Sequence, residues 1–228
     1  MTEAKSKDLR TEALVLRRTN YGETDRILTI LTPDGKKSVL AKAARKERSK
    51  LAGGIEMFCR TEVVIHQGRG KLAILTSAKM KKFYKNILAN FDTLEAASAI
   101  LKKIIKVAET TDNPDYYKIT LESLEALDDG ASSELVLTWF YFNVAKTSGE
   151  QVNLFYDVNG DKLTEDQRYN WDTFEKALRP VKQGRIGAEE IKMMRLMVAA
   201  ELSLVRRVKD TEQMMPELLY IAKSLNQL

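Results

Sequence analysis

The sequence predicts an α+β protein in which a small β-barrel precedes an all-helical region, and three observations carry that reading. Short runs of β-branched and aliphatic residues, each closed by a turn signal, fill the first eighty or so positions. Near Lys79 the spacing of apolar residues changes from strand-like to helical. Charge changes in step: residues 1–86 hold 20 Lys/Arg against 9 Asp/Glu, a net of +11, and the remainder holds 17 against 23, a net of −6.

Five strands are expected, at 11–19 (TEALVLRRT), 25–32 (DRILTILT), 36–44 (KKSVLAKAA), 58–67 (FCRTEVVIHQ) and 70–78 (GKLAILTSA). Turn chemistry separates them: NYGE at 20–23, PDG at 33–35, the glycine pair at 53–54 and GRG at 68–70. In Pro33-Asp34-Gly35 the proline presets φ near −65° and the glycine supplies the positive φ of a tight reversal. Five strands with one basic loop suit a small closed barrel. The OB-fold leads, and an SH3-like barrel fits the strand count nearly as well.

Helices are expected from there on. Residues 92–111 place Leu94, Ala97, Leu101, Ile104, Ile105 and Ala108 on one stripe. Residues 114–127 begin with a proline, which a first helical turn tolerates. A serine cap and Gly149 bound the stretch 132–149. The run 188–208 reads as one helix, with Glu189 and Glu190 in its first turn and Arg206 and Arg207 in its last, as the helix dipole prefers. Residues 216–225 close the series, making a bundle of about five or six helices. The expected domains are 1–80, the barrel, and 81–228, the helical part with a short irregular insertion near 150–170.

Composition excludes several classes. The chain has 228 residues, 44% hydrophobic and 30% charged, enough for a sizeable core. No apolar run approaches the roughly 18–20 residues of a membrane span. The polar start MTEAKSKDLR shows no secretory leader, so a cytoplasmic protein is expected. One cysteine, Cys59, and one histidine, His66, are too few for the usual four nitrogen and sulfur ligands of structural zinc, so no metal is expected. His66 reads as structural or surface and Cys59 as a small core hydrophobe. Neither phosphate-loop nor dinucleotide glycine pattern occurs. The stretch 157–167 resembles a calcium loop, but Lys162 and Arg168 stand where glycine and glutamate belong. No catalytic constellation and no cofactor are expected. Met193, Met194 and Met197 read as helix core.

One stretch stands out. AKAARKERSK, residues 41–50, carries Lys42, Arg45, Lys46, Arg48 and Lys50 against the single acid Glu47. A charge run is ordinarily a solvated face. Here it lies between barrel strands in a module that is itself basic, and short residues (Ala43, Ala44, Ser49) leave the backbone approachable. Polyanion binding is the reading that follows.

The ordered blocks YGETDRI, LTPDGK and AKAARKERSKLAGGIEMF, then a GRG turn and the strand KLAILTSAK, resemble the N-terminal domain of the RecO recombination-mediator family of bacterial DNA repair. Beyond residue 85 the resemblance is architectural. Many members carry a four-cysteine zinc site where this chain has YDVNGDKLTEDQRYNW and no cysteine. The resemblance implies an OB-fold joined to a helical domain. It implies no bond-making activity. Single- and double-stranded DNA would be bound, and complementary strands coated by single-stranded-DNA-binding protein would be annealed. The implied partners are that protein's acidic C-terminal tail, RecR and, indirectly, RecA, in a bacterial cytoplasm at the nucleoid.

On that barrel Arg17, Arg18 and Arg26 would approach a phosphate backbone from the early strands, and Lys36 and Lys37 from the hairpin. Lys42, Arg45, Lys46, Arg48 and Lys50 would supply the loop, and Arg69 and Lys71 the later turn. Such contacts position nucleic acid without reading bases. Few aromatics precede Phe83, so binding is expected to be more electrostatic than stacking-driven. Lys102, Lys103 and Lys106 are the candidates for the acidic tail. Two rival readings remain: an adaptor whose basic face docks acidic protein tails, with DNA incidental, and an enzyme with an OB appendage.

Overall fold

Strands form where apolar residues alternate, and the first five close on themselves. The computed structural model describes residues 8–67, 72–109 and 113–226. β1 (Asp8–Tyr21), β2 (Asp25–Thr32), β3 (Gly35–Ala41), β4 (Cys59–His66) and β5 (Ala73–Phe83) make a closed barrel in the order β1-β2-β3-β5-β4. All neighbours are antiparallel except β3 and β5, which run parallel at Val39–Ala73 and Leu40–Ile74. That strand order and the Greek-key return are those of an OB-fold. The register of β1 shifts between Val15 and Arg17, a bulge that lets one long strand pair with β4 through its first half and β2 through its second.

The barrel core is Ala13, Val15, Leu28, Ile30, Val39, Ala41, Val63, Ile65 and Leu75, with Ala44 and Ile55 from the connection between β3 and β4. That connection is therefore a plug rather than an open loop. Burying Ile55 alone contributes roughly 1.5–3 kcal/mol.

Two helices belong to the same compact unit as the barrel, Met1–Asp128. The division expected at 80/81 thus differs from that of the compact units, which fall at 128/129. α1 (Phe91–Val107) starts where Asn90 caps the amides of Asp92 and Thr93, and buries Ala96, Ala97, Ile100, Leu101 and Ile104. The Lys36 ammonium donates to the Ile105 carbonyl at 3.2 Å and pairs with Glu109 at 3.3 Å. α2 (Asp115–Asp128) is joined to the strands by polar contacts: Tyr117 Oη to Glu12 at 3.3 Å, Arg60 to Glu125 at 3.5 Å and Lys82 to Asp128 at 3.8 Å.

The second unit, Asp129–Leu228, holds α3 (Ser133–Thr147), a hairpin of β6 (Tyr169–Asp172) and β7 (Ala177–Pro180), α4 (Ala188–Ala199), α5 (Leu202–Val205) and α6 (Met215–Ser224). The single helix expected over 188–208 is two, and the cause lies on α3. Lys146 Nζ, Asn143 Nδ2 and Trp139 Nε1 donate to the carbonyls of Val198, Met197 and Ala200, at 2.9, 3.0 and 3.0 Å. These bonds satisfy the last carbonyls of α4, and Ala200 and Glu201 turn extended. The irregular insertion expected near 150–170 gives way at Tyr169 to this hairpin, on which Tyr169 and Trp171 alternate inward. Among the described residues no cluster of three His, Cys, Asp or Glu could hold a metal, and no helix is long and apolar enough to cross a membrane.

Candidate nucleic-acid interface

The basic loop is held chiefly by hydrogen bonds to and from its backbone. Asp25 Oδ1 accepts the Ala43 amide at 2.7 Å, which fixes Ala43 in the left-handed region at φ 52°. The Arg45 amide donates to Thr24 O at 2.8 Å, and the Arg45 guanidinium to Gly22 O at 3.3 Å. The loop is thereby tied to the β1–β2 turn. Successive tight turns follow: Lys46 N to Ala43 O, Ser49 N to Lys46 O, Ala52 N to Ser49 O and Gly54 N to Leu51 O. At Gly54 a Cβ would stand 2.4 Å from Ala78 O, so only glycine lets the loop close on β5.

Lys42, Arg45, Lys46, Arg48 and Lys50 are all exposed on this frame. None of the five forms an ion pair among the described residues. A rigid backbone that presents five unneutralised cations attracts a polyanion with little ordering cost. Tyr21, 54% exposed, adjoins Gly22 beside the Arg45 guanidinium.

The other candidates divide. Arg17 is exposed on β1. Arg18 pairs with Glu56 at 2.6 Å. Arg26 is half-buried, and its Nε is buried with no hydrogen-bond partner. Lys36 is engaged with α1, and Lys37 is half-buried at the start of β3, a full strand away from Lys42. Arg69 and Lys71 lie outside the described residues. On α1, Lys102 and Lys106 are exposed, and burial, with Lys106 nearby, pushes the Lys103 ammonium down. Cys59 is fully buried. Burial first, then Glu56, pushes its thiol up to about 11, so it stays protonated and inert at neutral pH. His66 Nδ1 lies 2.8 Å from the Oδ1 of Asp8, its partner in the β1–β4 ladder.

Sequence reasoning missed the cations of β5. The run KMKKFYK, 79–85, was available as a signal, but the strand was expected to end at 78. Lys81 pairs with Glu62 at 2.8 Å and holds that carboxyl below its ordinary range, by hydrogen bond and charge. Lys82 reaches Asp128 and sits 5.1 Å from the Tyr84 ring centre. A cavity of about 450 Å³ in the second unit was also unforeseen. Gln151 to Phe155, Arg195, Val198 and Ala199 line it. The Arg195 guanidinium donates to Leu154 O at 3.1 and 2.7 Å and stacks 5.0 Å over Phe155.

Known proteins match both halves. The family model for the N-terminal part of recombination protein O matches residues 6–84, and that for its C-terminal part residues 88–225. The DNA repair protein RecO of Dehalococcoides mccartyi (strain CBDB1) is 34% identical over 152 residues, 66% of this chain and 60% of that protein. The protein of the same name from Roseiflexus sp. (strain RS-1) is 33% identical over 147 residues, 64% of this chain and 52% of that one. That from Bifidobacterium longum (strain DJO10A) is 35% identical over 121 residues, 52% and 51%. The aligned stretches thus span about half to three fifths of these relatives. With family models matching from residue 6 to residue 225, nearly end to end, the chain belongs to the recombination protein O (RecO) family.

Proposed function

We propose that the chain serves bacterial DNA repair as a recombination mediator. It binds single- and double-stranded DNA through the loop between β3 and β4. It anneals complementary strands coated by single-stranded-DNA-binding protein and, with RecR, promotes RecA loading. The observation that carries the reading is the set of five cations, none in an ion pair among the described residues, presented by the bonded loop of an OB barrel. Phosphate contacts of this kind accept any sequence, as annealing requires. They also lower the repulsion between two polyanions brought together.

A specific feature supports docking of an acidic protein tail on the helical part. The cavity beside Arg195 offers apolar walls from Val152, Val198 and Ala199 next to a cation. It suits an apolar side chain with an adjoining carboxylate. The test of the whole reading is annealing of complementary oligonucleotides precoated with the cognate binding protein. Acceleration is expected, with loss in Arg45→Ala/Arg48→Ala. No acceleration, together with tight binding of an acidic peptide, would establish the adaptor reading instead.

A further inference from the structure

The face of β5 next to the basic loop carries apolar side chains that the barrel does not consume. In the β4–β5 ladder Val63, Thr61 and Cys59 oppose Ala78, Met80 and Phe83. Directly opposed residues share a face. Val63, Thr61 and Cys59 are buried, yet Met80 is 40% exposed and Phe83 39%. Ala78 abuts Gly54 at the end of the basic loop, and the Tyr84 amide donates to Phe58 O at 3.0 Å just after it. This strip therefore continues the loop. Arg48 and Lys50, in the loop that Gly54 closes on Ala78, are exposed, and so is Lys85, two residues past Phe83. Lys79 and Lys82 oppose Glu62 and Arg60, on the other face of the sheet.

We propose that Met80 and Phe83 form a base-stacking platform for single-stranded nucleic acid whose phosphates run along the loop cations. The proposal rests on the DNA-binding reading and adds to it a preference for unpaired bases. Charge complementarity selects the occupant: an apolar strip that continues a cationic loop fits a chain with flat apolar faces and one negative charge per repeat. A duplex buries its base faces by stacking and would gain only the phosphate contacts. The expectation of binding more electrostatic than stacking-driven is thereby sharpened, because Phe83 lies on the unforeseen extension of β5.

The test measures affinity of the full chain for an oligothymidine, an abasic strand of equal length and a duplex. Phe83→Ala is expected to weaken oligothymidine binding about tenfold, with the abasic strand, the duplex and the salt slope unchanged. Phe83→Tyr should retain binding, and Met80→Ala should give a smaller loss on oligothymidine alone, which keeps the test open if Phe83→Ala fails to fold. Equal losses on all three ligands, or none on oligothymidine while Arg45→Ala/Arg48→Ala still weakens it, would overturn the platform alone. A loss confined to an acidic apolar peptide would assign the strip to a protein partner and overturn it too. If the wild type binds none of the three, the DNA reading itself fails.

Discussion

Two irregular connections in this chain are of opposite design. The loop between β3 and β4 carries five cations, none in an ion pair among the described residues. Its shape comes from backbone bonds to the β1–β2 turn and from the buried side chains of Ala44 and Ile55. The segment between α3 and α4 is also rich in cations, but most of them are held in ion pairs. Lys176 pairs with Glu150, Arg179 with Asp172 at 2.7 Å, and Arg185 with Glu217 at 3.4 Å. Where cations hold the fold, their charge is neutralised locally. Where backbone and apolar contacts hold it, the charge remains available to a ligand.

The strongest way to break the comparison is to remove what fixes each connection. Gly54→Ala would drive a Cβ to 2.4 Å from Ala78 O, and Gly184→Ala to 2.3 Å from Tyr169 O. Both obstacles are backbone atoms, so relief requires the chain itself to move. Each is expected to destabilise its own unit by about 1–3 kcal/mol. Thermal melting followed by circular dichroism should detect both. Tryptophan fluorescence should report Gly184→Ala, because Trp139 and Trp171, the two tryptophans of the chain, lie in the second unit. Unchanged melting in Gly54→Ala would show that the loop is not closed on β5.

These glycines show what the sequence could and could not disclose. The charge of the loop is local information and was plain. Its anchoring was not, because Asp25 and Ala43 lie eighteen positions apart and meet only through the β2–β3 hairpin. β2 was legible to the residue, since both its faces are apolar and turns bound it on either side. β5 ran five residues past its expected end because lysines on its solvated face hid the alternation. The break between α4 and α5 is dictated by side chains of α3, some fifty to sixty residues away. No window of local periodicity contains such a cause.

A milder probe is pH. In the hairpin turn the Glu175 amide, then the Arg179 guanidinium, hold the Asp172 carboxyl below its ordinary range. A depressed carboxylate stabilises the fold above its ordinary range, and that contribution is lost as pH falls through the lowered value. The hairpin should therefore loosen as pH falls through that lowered value, and Asp172→Asn should speed hydrogen exchange at the Phe174 and Glu175 amides at neutral pH. Equal protection in variant and wild type would show that the ion pair does not hold the turn.

The most direct test of the contrast is DNA affinity across a salt series. If the loop neutralises about four phosphates, log K for single strands should fall against log salt with a slope near −2.8, at about −0.7 per contact. Raising salt from about 50 to 200 mM would then weaken binding roughly 50-fold. Arg45→Ala/Arg48→Ala should make the slope shallower by about 1.4 and weaken all sequences alike, with the fold intact. Lys176→Ala/Arg179→Ala, which removes two paired cations of the other connection, should leave slope and affinity where they were. An unchanged slope and affinity in the loop variant would contradict the account, because the five unpaired cations would then be an ordinary solvated face.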